Sequence, residues 1–338
     1  MRLTRLIPAA LAIPALLLAA ACEPKQTGGE AVDAPQAACV RTANTEAAVA
    51  AMAEAEARAI EIAEASRGAG QPAMWTLKDA DTTLHILGTV HLLRPDLAWR
   101  TPEIDAAIAA AGTVVFEADT TSPEAGRELM TFFSSHGLFK DGTQLSSLLT
   151  DAEIEQLTTA LNEVGLPIEA VQPMRPWYAA LNLSVMQMTE GGFDPEAGVE
   201  MTIEANAKAH GASFAYLETV DQQLGEFAGL DNCAQIDFLM QTAESMKQGT
   251  ELLDLLVAEW ADGDTVGLGA LMASPDSFGS QEAYDALLAN RNERWTPMIA
   301  GMLDAPGTRL IAVGAGHLVG EDSVIAMLRA EGYEVAGP

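Results

Sequence analysis

The chain has 338 residues and a formal net charge of −30, from 48 acidic and 18 basic residues. A surface of this sign repels a phosphate backbone, which argues against nucleic acid as a partner. Apolar residues make up 49% and aromatic residues 5%, a balance that favours a large helix-rich core over an all-β one. The acidic surface is either a solvated face that maintains solubility or a surface for cations and basic peptides.

The first 21 residues have the pattern of a secretory signal peptide. Arg2 and Arg5 precede an apolar run, residues 6–21, which is short for a membrane span and is interrupted by prolines. Residues 19–22 are either a lipobox, in which Cys22 would be acylated, or lie near an ordinary signal-peptide cleavage site. We therefore expect an exported protein of the periplasm or cell envelope, attached to the membrane only through a lipid anchor at Cys22, if at all.

The remaining chain divides into three segments. Residues 22–41 are predicted to be a flexible tether, residues 42–72 an N-terminal helical segment, and residues 73–338 one large domain. In an exported protein, Cys39 and Cys233 predict one disulfide that ties the N-terminal segment to the domain. The alternative is two separate buried thiols.

Strands and helices alternate at both ends of the large domain, with helices between. Predicted strands cover residues 74–77, 83–87, 113–116, 214–217 and 309–313, with an edge strand at 333–335. Predicted helices cover residues 44–67, 102–111, 177–188, 199–210 and 323–331, with further helical segments within 122–208 and 231–290. The order predicts an α/β protein with a central, mostly parallel sheet and large helical insertions.

Two strand ends share the pattern Gly-x-x-His, from Gly88 to His91 and from Gly314 to His317. Each follows an apolar run that suits a strand buried on both faces. We expect the glycines to permit a sharp exit with unusual backbone angles. We expect the histidines at the carboxyl edge of the sheet, where ligands bind in open α/β folds. The repetition predicts neighbouring strands related by approximate internal symmetry.

Two further predicted strands end in a carboxylate, Glu117 and Glu218. If the four strands are parallel neighbours, two histidines and two glutamates converge on one edge. Such a cluster can bind a divalent metal or perform acid–base chemistry. The alternative for the glutamates is a solvated carboxylate at a strand end or helix start. The other histidines fit structural positions within a strand or at helix ends: His85, His136 and His210.

Several short motifs together resemble the TraB/GumN family. They are the stretch from Met74-Trp75 to His91-Leu92, then Phe116-Glu117, Leu217-Glu218-Thr219 with Gln223-Leu224, Arg291-Asn292 with Trp295, and Val313 to Leu318. The resemblance extends from Trp75 to the C-terminus. The family includes the Tiki proteins, metal-dependent proteases whose activity depends on two Gly-x-x-His motifs and acidic residues. Wider relatives use a similar core for esterase chemistry and for haem binding.

The resemblance implies a site with a divalent metal ion. Its metal ligands would be His91, His317 and Glu117, and its catalytic residues would be Glu117, Glu218, Arg291 and Asn292. Either glutamate would be the general base. Arg291 would stabilise an oxyanion or hold a substrate carboxylate, and Asn292 would orient a neighbour. The alternative for Arg291 and Asn292 is hydrogen bonding on a helix surface.

Three functions are consistent with these residues. The first is a metal-dependent protease or peptidase of the cell envelope, with a peptide or protein substrate. The second is a non-catalytic envelope protein that binds a peptide signal, a metal or haem in the same cleft. The third is an envelope assembly protein in which the motif is vestigial. Carboxylates beside histidines favour the first, because a binder of apolar ligands does not need both.

Overall fold

The computed structural model describes residues 46–338, apart from the side chains of residues 46–53 and Gln248. The predicted signal peptide and tether, with Cys22 and Cys39, lie outside these residues. Cleavage, lipidation and the disulfide therefore stay predictions, although Cys233 is placed in the first turn of a helix. Within the described residues, no helix combines the length and apolar character that a membrane span requires.

The described residues form a six-stranded sheet with the spatial order β4-β3-β5-β2-β1-β6. The strands are β1 (Met74–Lys78), β2 (Thr82–Thr89), β3 (Thr113–Phe116), β4 (Ser213–Tyr216), β5 (Gly307–Gly314) and β6 (Val335–Ala336). The neighbours β4, β3, β5 and β2 are parallel, whereas β1 is antiparallel to both β2 and β6. The predicted α/β fold with a central, mostly parallel sheet is confirmed.

Helices precede the first strand, fill the connections between the parallel strands and follow the last parallel strand, β5. They are α1 (Glu46–Ala65), α2 (Pro102–Ala110), α3 (Pro123–His136), α4 (Asp151–Glu163), α5 (Pro176–Glu190), α6 (Val199–Ala209), α7 (Val220–Gly229), α8 (Asn232–Ser245), α9 (Glu251–Asp262), α10 (Thr265–Met272), α11 (Pro275–Phe278), α12 (Gln281–Tyr284), α13 (Asn290–Gly301) and α14 (Val324–Ala330). A π-helical segment, Asp285–Ala289, leads into α13, and a 3-10 turn, Ala315–Leu318, follows β5. Further 3-10 turns are Leu145–Leu148, Ile168–Ala170, Pro195–Ala197, Met246–Gln248 and Met302–Asp304. The predicted helical insertions are thus α3 to α6, before β4, and α7 to α13, before β5.

The centre of the sheet is the pair β2 and β5. They are parallel and in register over eight residue pairs, from Thr82 opposite Gly307 to Thr89 opposite Gly314. Each has neighbours on both sides, so neither is an edge strand. The two strands that carry the Gly-x-x-His pattern therefore lie next to each other, as predicted.

Apolar side chains cover both faces of the sheet. One face packs Leu87, Val114 and Leu310 against side chains of α2, α6 and α9. The other packs Ile86, Val115 and Ile311 against α13 and α14. Full burial of a Leu, Ile or Val side chain contributes roughly 1.5–3 kcal/mol, so this two-sided packing fixes the strands firmly. It also explains why the strands read as continuous apolar runs rather than alternating ones.

The last strand begins later than predicted. The sequence placed it at residues 333–335, but Val335 and Ala336 are the residues that pair, opposite Leu77 and Thr76 of β1. Tyr333 instead closes the end of α14, with its backbone N–H bonded to the carbonyl of Leu328. Because of this hydrogen bond, Tyr333 belongs to the end of α14 rather than to the strand.

Candidate active site at the carboxyl edge of the sheet

Four parallel strands end at one edge, and each is followed by a predicted site residue. In spatial order, β4 leads to Glu218, β3 to Glu117, β5 to His317 and β2 to His91. The backbone N–H of Glu218 donates to the carbonyl of Glu117 over 2.8 Å, so these two strand ends stay paired beyond the sheet. The structure therefore brings the expected side chains to a common edge, and their chemical roles stay predictions.

The glycines of the two motifs are needed for space rather than for backbone angles. The prediction of unusual angles is wrong, because Gly314 has a φ of −49° and Gly88 is not among the glycines with positive φ. A Cβ on Gly88 would lie 3.1 Å from the Cα and Cβ of Ala315. A Cβ on Gly314 would lie 3.0 Å from Oε1 of Glu117. Each glycine lets the neighbouring segment approach the strand end closely.

Arg291, in the first turn of α13, lies at the centre of the buried part of the site. Its Nη2 donates to Oε2 of Glu117 over 2.6 Å and also to Oε1 of Glu218. Its Nε donates to Oε2 of Glu218 over 3.3 Å, and its Nη1 donates to the carbonyl of Leu287 over 3.1 Å. The side chains of Arg291, Glu117 and Glu218 are 7%, 10% and 4% exposed. One guanidinium thus serves two buried carboxylates.

Glu117 has partners for both of its oxygens. Oε1 accepts the backbone N–H of Gly314 over 2.6 Å, and Oε2 accepts the side-chain amide of Gln223 over 2.8 Å in addition to Arg291. Burial alone would raise the pKa of Glu117, but the positive charges of Arg291 and His91 and the Gly314 bond lower it. Because His317 is neutral, as its contacts require, the cations that keep Glu117 ionised are Arg291, which bonds to it directly, and His91. Burial raises the pKa of Glu218, against the opposing effect of Arg291.

His317 is buried and held in one tautomer. Its Nε2 lies 3.1 Å from Nη1 of Arg291, which only donates, so Nε2 is the acceptor. The proton is therefore on Nδ1, which donates to Oδ1 of Asn292 over 2.7 Å. The Asn292 amide in turn donates to the carbonyl of Asp322 over 2.7 Å, which fixes its orientation. Burial lowers the pKa of His317 to about 3, in keeping with a neutral ring.

His91 lies in a different environment from His317. Its side chain is 66% exposed, and its Nδ1 lies 2.7 Å from Oε1 of Glu200, in the first turn of α6. The same carboxylate oxygen accepts the hydroxyl of Thr89, the last residue of β2. Glu200 raises the pKa of His91, and this effect outweighs the desolvation that would lower it. Within the described residues, Nε2 of His91 has no hydrogen-bond partner.

Two of these partners were not predicted from the sequence. Glu200 lies in the first turn of a helix, where an acidic residue is ordinarily explained by the helix dipole. Only the fold shows that it faces His91. Gln223 belongs to the motifs that carry the family resemblance, but no role was assigned to it, and it is a direct partner of Glu117.

The arrangement does not fit a divalent metal ion as it stands. The lone pair of Nε2 of His317 already accepts from Arg291, and the same guanidinium occupies the space between Glu117 and Glu218 that an ion would need. No group of three or more His, Cys, Asp or Glu side chains among residues 54–338 is arranged to hold a metal. The metal expected at His91, His317 and Glu117 therefore stays a prediction that a metal measurement must test.

A family model and two known proteins match this chain. The model of the TraB/PrgY/gumN family matches residues 73–336, which include all four strand ends and α13. The chain is 23% identical over 245 residues to the uncharacterised protein YbaP of Escherichia coli strain K12. That alignment covers 72% of this chain and 87% of YbaP, and YbaP of Shigella flexneri matches over the same shares. No solved structure matches the chain significantly.

Proposed function

Since the chain belongs to the TraB/PrgY/gumN family, we propose that it is a protease or peptidase that cleaves a peptide or protein substrate in the cell envelope. The observation that carries the proposal is the pairing of His91 with Glu200 at the same sheet edge as the buried group Arg291, Glu117 and His317. The envelope location rests on the N-terminal sequence. A net charge of −30 favours substrates with basic residues, which the protein's field attracts.

In this proposal His91 transfers the proton. Glu200 holds its Nδ1 and Thr89 fixes Glu200, so the ring presents Nε2 toward solvent. A carboxylate behind an imidazole orients the ring and stabilises its charged form, as in other hydrolases with such a pair. The neutral form of the ring, which is the minor form until the pH nears 9, takes a proton from the attacking water, and the charged ring returns it to the leaving amine. General acid–base transfer of this kind contributes about 100- to 10,000-fold to a rate.

The buried group has a supporting role in this mechanism. Asn292 fixes His317, and Arg291 fixes Glu117 and Glu218, so the floor of the site is rigid. A fixed set of charges stabilises a polar transition state without having to reorganise. The divalent metal implied by the resemblance is not part of this proposal, and the steps described here use only the protein's own side chains.

A second candidate is a binding protein that does not cleave its ligand. The observation in its favour is that Arg291 neutralises charge on Glu117 and Glu218 while His317 has partners for both nitrogens. Such a group is unreactive. In this alternative the exposed His91 therefore only contacts a bound peptide, metal or haem. The two candidates differ in whether a bound peptide is cut.

The test is digestion of a peptide library by the purified protein, with and without a chelator. The variant is His91→Gln, and the matched control is His210→Gln, because His210 is an exposed histidine at the end of α6 whose ring, among the described residues, bonds only to the backbone of its own helix. We expect cleavage by the wild type and by the control, and loss in His91→Gln. Peptide that is retained by the protein but never cut supports the binding protein instead. Loss of cleavage with the chelator, restored by a metal ion, supports the predicted metal.

A further inference from the structure

We propose that Arg291 is the resident cation of this site, and that Glu117, Glu218 and His317 become a divalent-metal site only when Arg291 is removed. The inference is about what occupies the space between these three side chains. It concerns binding rather than cleavage, so it does not depend on the proposed hydrolysis.

The contacts of the guanidinium carry the inference. Nη2 lies 2.6 Å from Oε2 of Glu117 and also contacts Glu218, while Nη1 lies 3.1 Å from Nε2 of His317. Two carboxylates and the lone pair of an imidazole thus converge on one cation from different strands. This is the donor set that a divalent metal would take, and the guanidinium already uses each of these atoms.

The position of Arg291 is fixed independently of these donors. Its guanidinium carbon lies 4.6 Å from the ring centroid of Trp295, one turn further along α13. Its Nη1 also donates to the carbonyl of Leu287, in the π-helical segment before α13. The side chain is 7% exposed and cannot swing into solvent without breaking this whole set of contacts. A metal would therefore have to enter beside a fixed positive charge.

Charge and distance both oppose such entry. Two carboxylates with one guanidinium leave a single net negative charge in the buried group, since His317 is neutral. A divalent ion here would be repelled by Arg291 at contact distance. Metal–ligand distances are about 2.0–2.2 Å for oxygen and nitrogen donors, so the three donors would also have to leave the guanidinium and contract around the ion. Removal of Arg291 removes the repulsion and frees the donors together.

The experiment is titration of metal-free protein with Co²⁺, followed by visible absorption, together with calorimetry using Zn²⁺. It compares wild type, Arg291→Met, Arg291→Met with Glu117→Gln, and the control Arg294→Met. Arg294 is one turn away on the same helix, is 48% exposed and pairs with a single carboxylate, Glu226. The control therefore removes an equal charge from this acidic protein without opening the buried donor set.

We expect no stoichiometric site in the wild type or in Arg294→Met. In Arg291→Met we expect one ion per chain, bound at least about 100-fold more tightly than any ion that the wild type binds. The reason is that removing a unit charge at contact distance changes a binding constant by several factors of ten. The added Glu117→Gln change should abolish that site. In Arg291→Ala, which leaves more room, low millimolar guanidinium chloride should displace Co²⁺, because the two cations would occupy the same space.

Two results would overturn the proposal. One is a stoichiometric metal in the wild type whose binding is lost in His317→Ala or Glu117→Gln. The other is a folded Arg291→Met protein, as judged by circular dichroism, that binds no metal. The wild-type titration remains decisive even where the Arg291 variants do not fold.

Discussion

The two Gly-x-x-His ends have similar sequences and lie on adjacent strands, yet their histidines have opposite surroundings. β2 ends at Thr89, and after Val90 the side chain of His91 lies largely in solvent beside Glu200. After β5 the chain turns at once into a 3-10 turn, which carries His317 under α13. The repeated motif therefore supplies one imidazole that readily takes a proton and one that resists protonation. The repeated sequence forms equivalent strands, but its two histidine side chains have different environments.

The largest expected difference between the two ends is catalytic. His91→Gln should lower kcat/KM by about 100- to 10,000-fold, because it removes the group that transfers the proton. Its free energy of unfolding should change by less than about 1 kcal/mol, since an exposed pair contributes little to stability. Kinetics on a cleaved peptide and urea unfolding measure the two effects. A large loss of stability with unchanged kinetics would reverse the roles assigned to the two ends.

The buried end should dominate stability. Arg291→Met should reduce the free energy of unfolding by about 3–5 kcal/mol in metal-free buffer, because it leaves two buried carboxylates without their cation. Arg294→Met, on the exposed side of the same helix, should cost less than about 1 kcal/mol. Urea unfolding of both variants makes the comparison. Equal losses would mean that Arg291 is not the stabilising cation of the buried group.

Substitution of the partner of His317 should also reduce stability more than substitution of the partner of His91. Asn292→Ala should destabilise the fold by about 1–3 kcal/mol, because the buried Nδ1–H of His317 loses its acceptor. Glu200→Gln should cost less than about 1 kcal/mol, because His91 is open to water. Chemical denaturation gives both values, and nitrogen NMR of the imidazoles reports whether His317 keeps its tautomer. The comparison fails if the Glu200 variant is the less stable one.

The stability contributed by the two histidines should depend on pH in opposite directions. The pKa of His317 is lowered from 6.5 to about 3, so its contribution to stability is present above pH 6.5 and is lost as the pH falls toward 3. The pKa of His91 is raised from 6.5 to about 9, so its contribution is present below pH 6.5 and is lost as the pH rises through 9. Water screens the exposed His91, which limits its contribution to less than about 1 kcal/mol.

NMR titration of the imidazole nitrogens measures these two pH dependences directly. His317 should stay neutral at pH 5 and His91 should stay protonated at pH 7.5. Stability curves of wild type and His91→Gln should converge above pH 9, where the contribution of His91 is lost. A single titration near pH 6.5 for both rings would show that their environments are equivalent, contrary to the structure.

The sequence predicted the strands and the edge where the site lies, because both follow from local patterns. Continuous apolar runs indicate strands buried on both faces, and a polar residue after each run lies at the carboxyl end by connectivity alone. Glu117, Glu218, His91 and His317 could all be placed in this way. The parallel order of β4, β3, β5 and β2 then brings them to one edge.

The sequence did not predict which side chains contact each other. Arg291 comes from a helix 73 residues after Glu218, and its position between two glutamates depends on the packing of Trp295 and Ile299 into the core. One local signal was present but was not used. The residues between Gly and His are Thr-Val in the first motif and Ala-Gly in the second. The small pair permits the tight turn that buries His317, because Ala315 and Gly316 both fit against neighbours.

The pairing of β2 with β5 determines when this molecule can fold. The central strand of the sheet, Gly307–Gly314, ends within the last 25 residues of the chain, and both of its neighbours come from the first half of the chain. The chain must therefore be available as far as Gly314 before β2 and β3 gain the strand that joins them. Loss of the final segment by a premature stop would remove the middle of the sheet and divide the remaining strands into two unconnected pairs, rather than merely shorten one side.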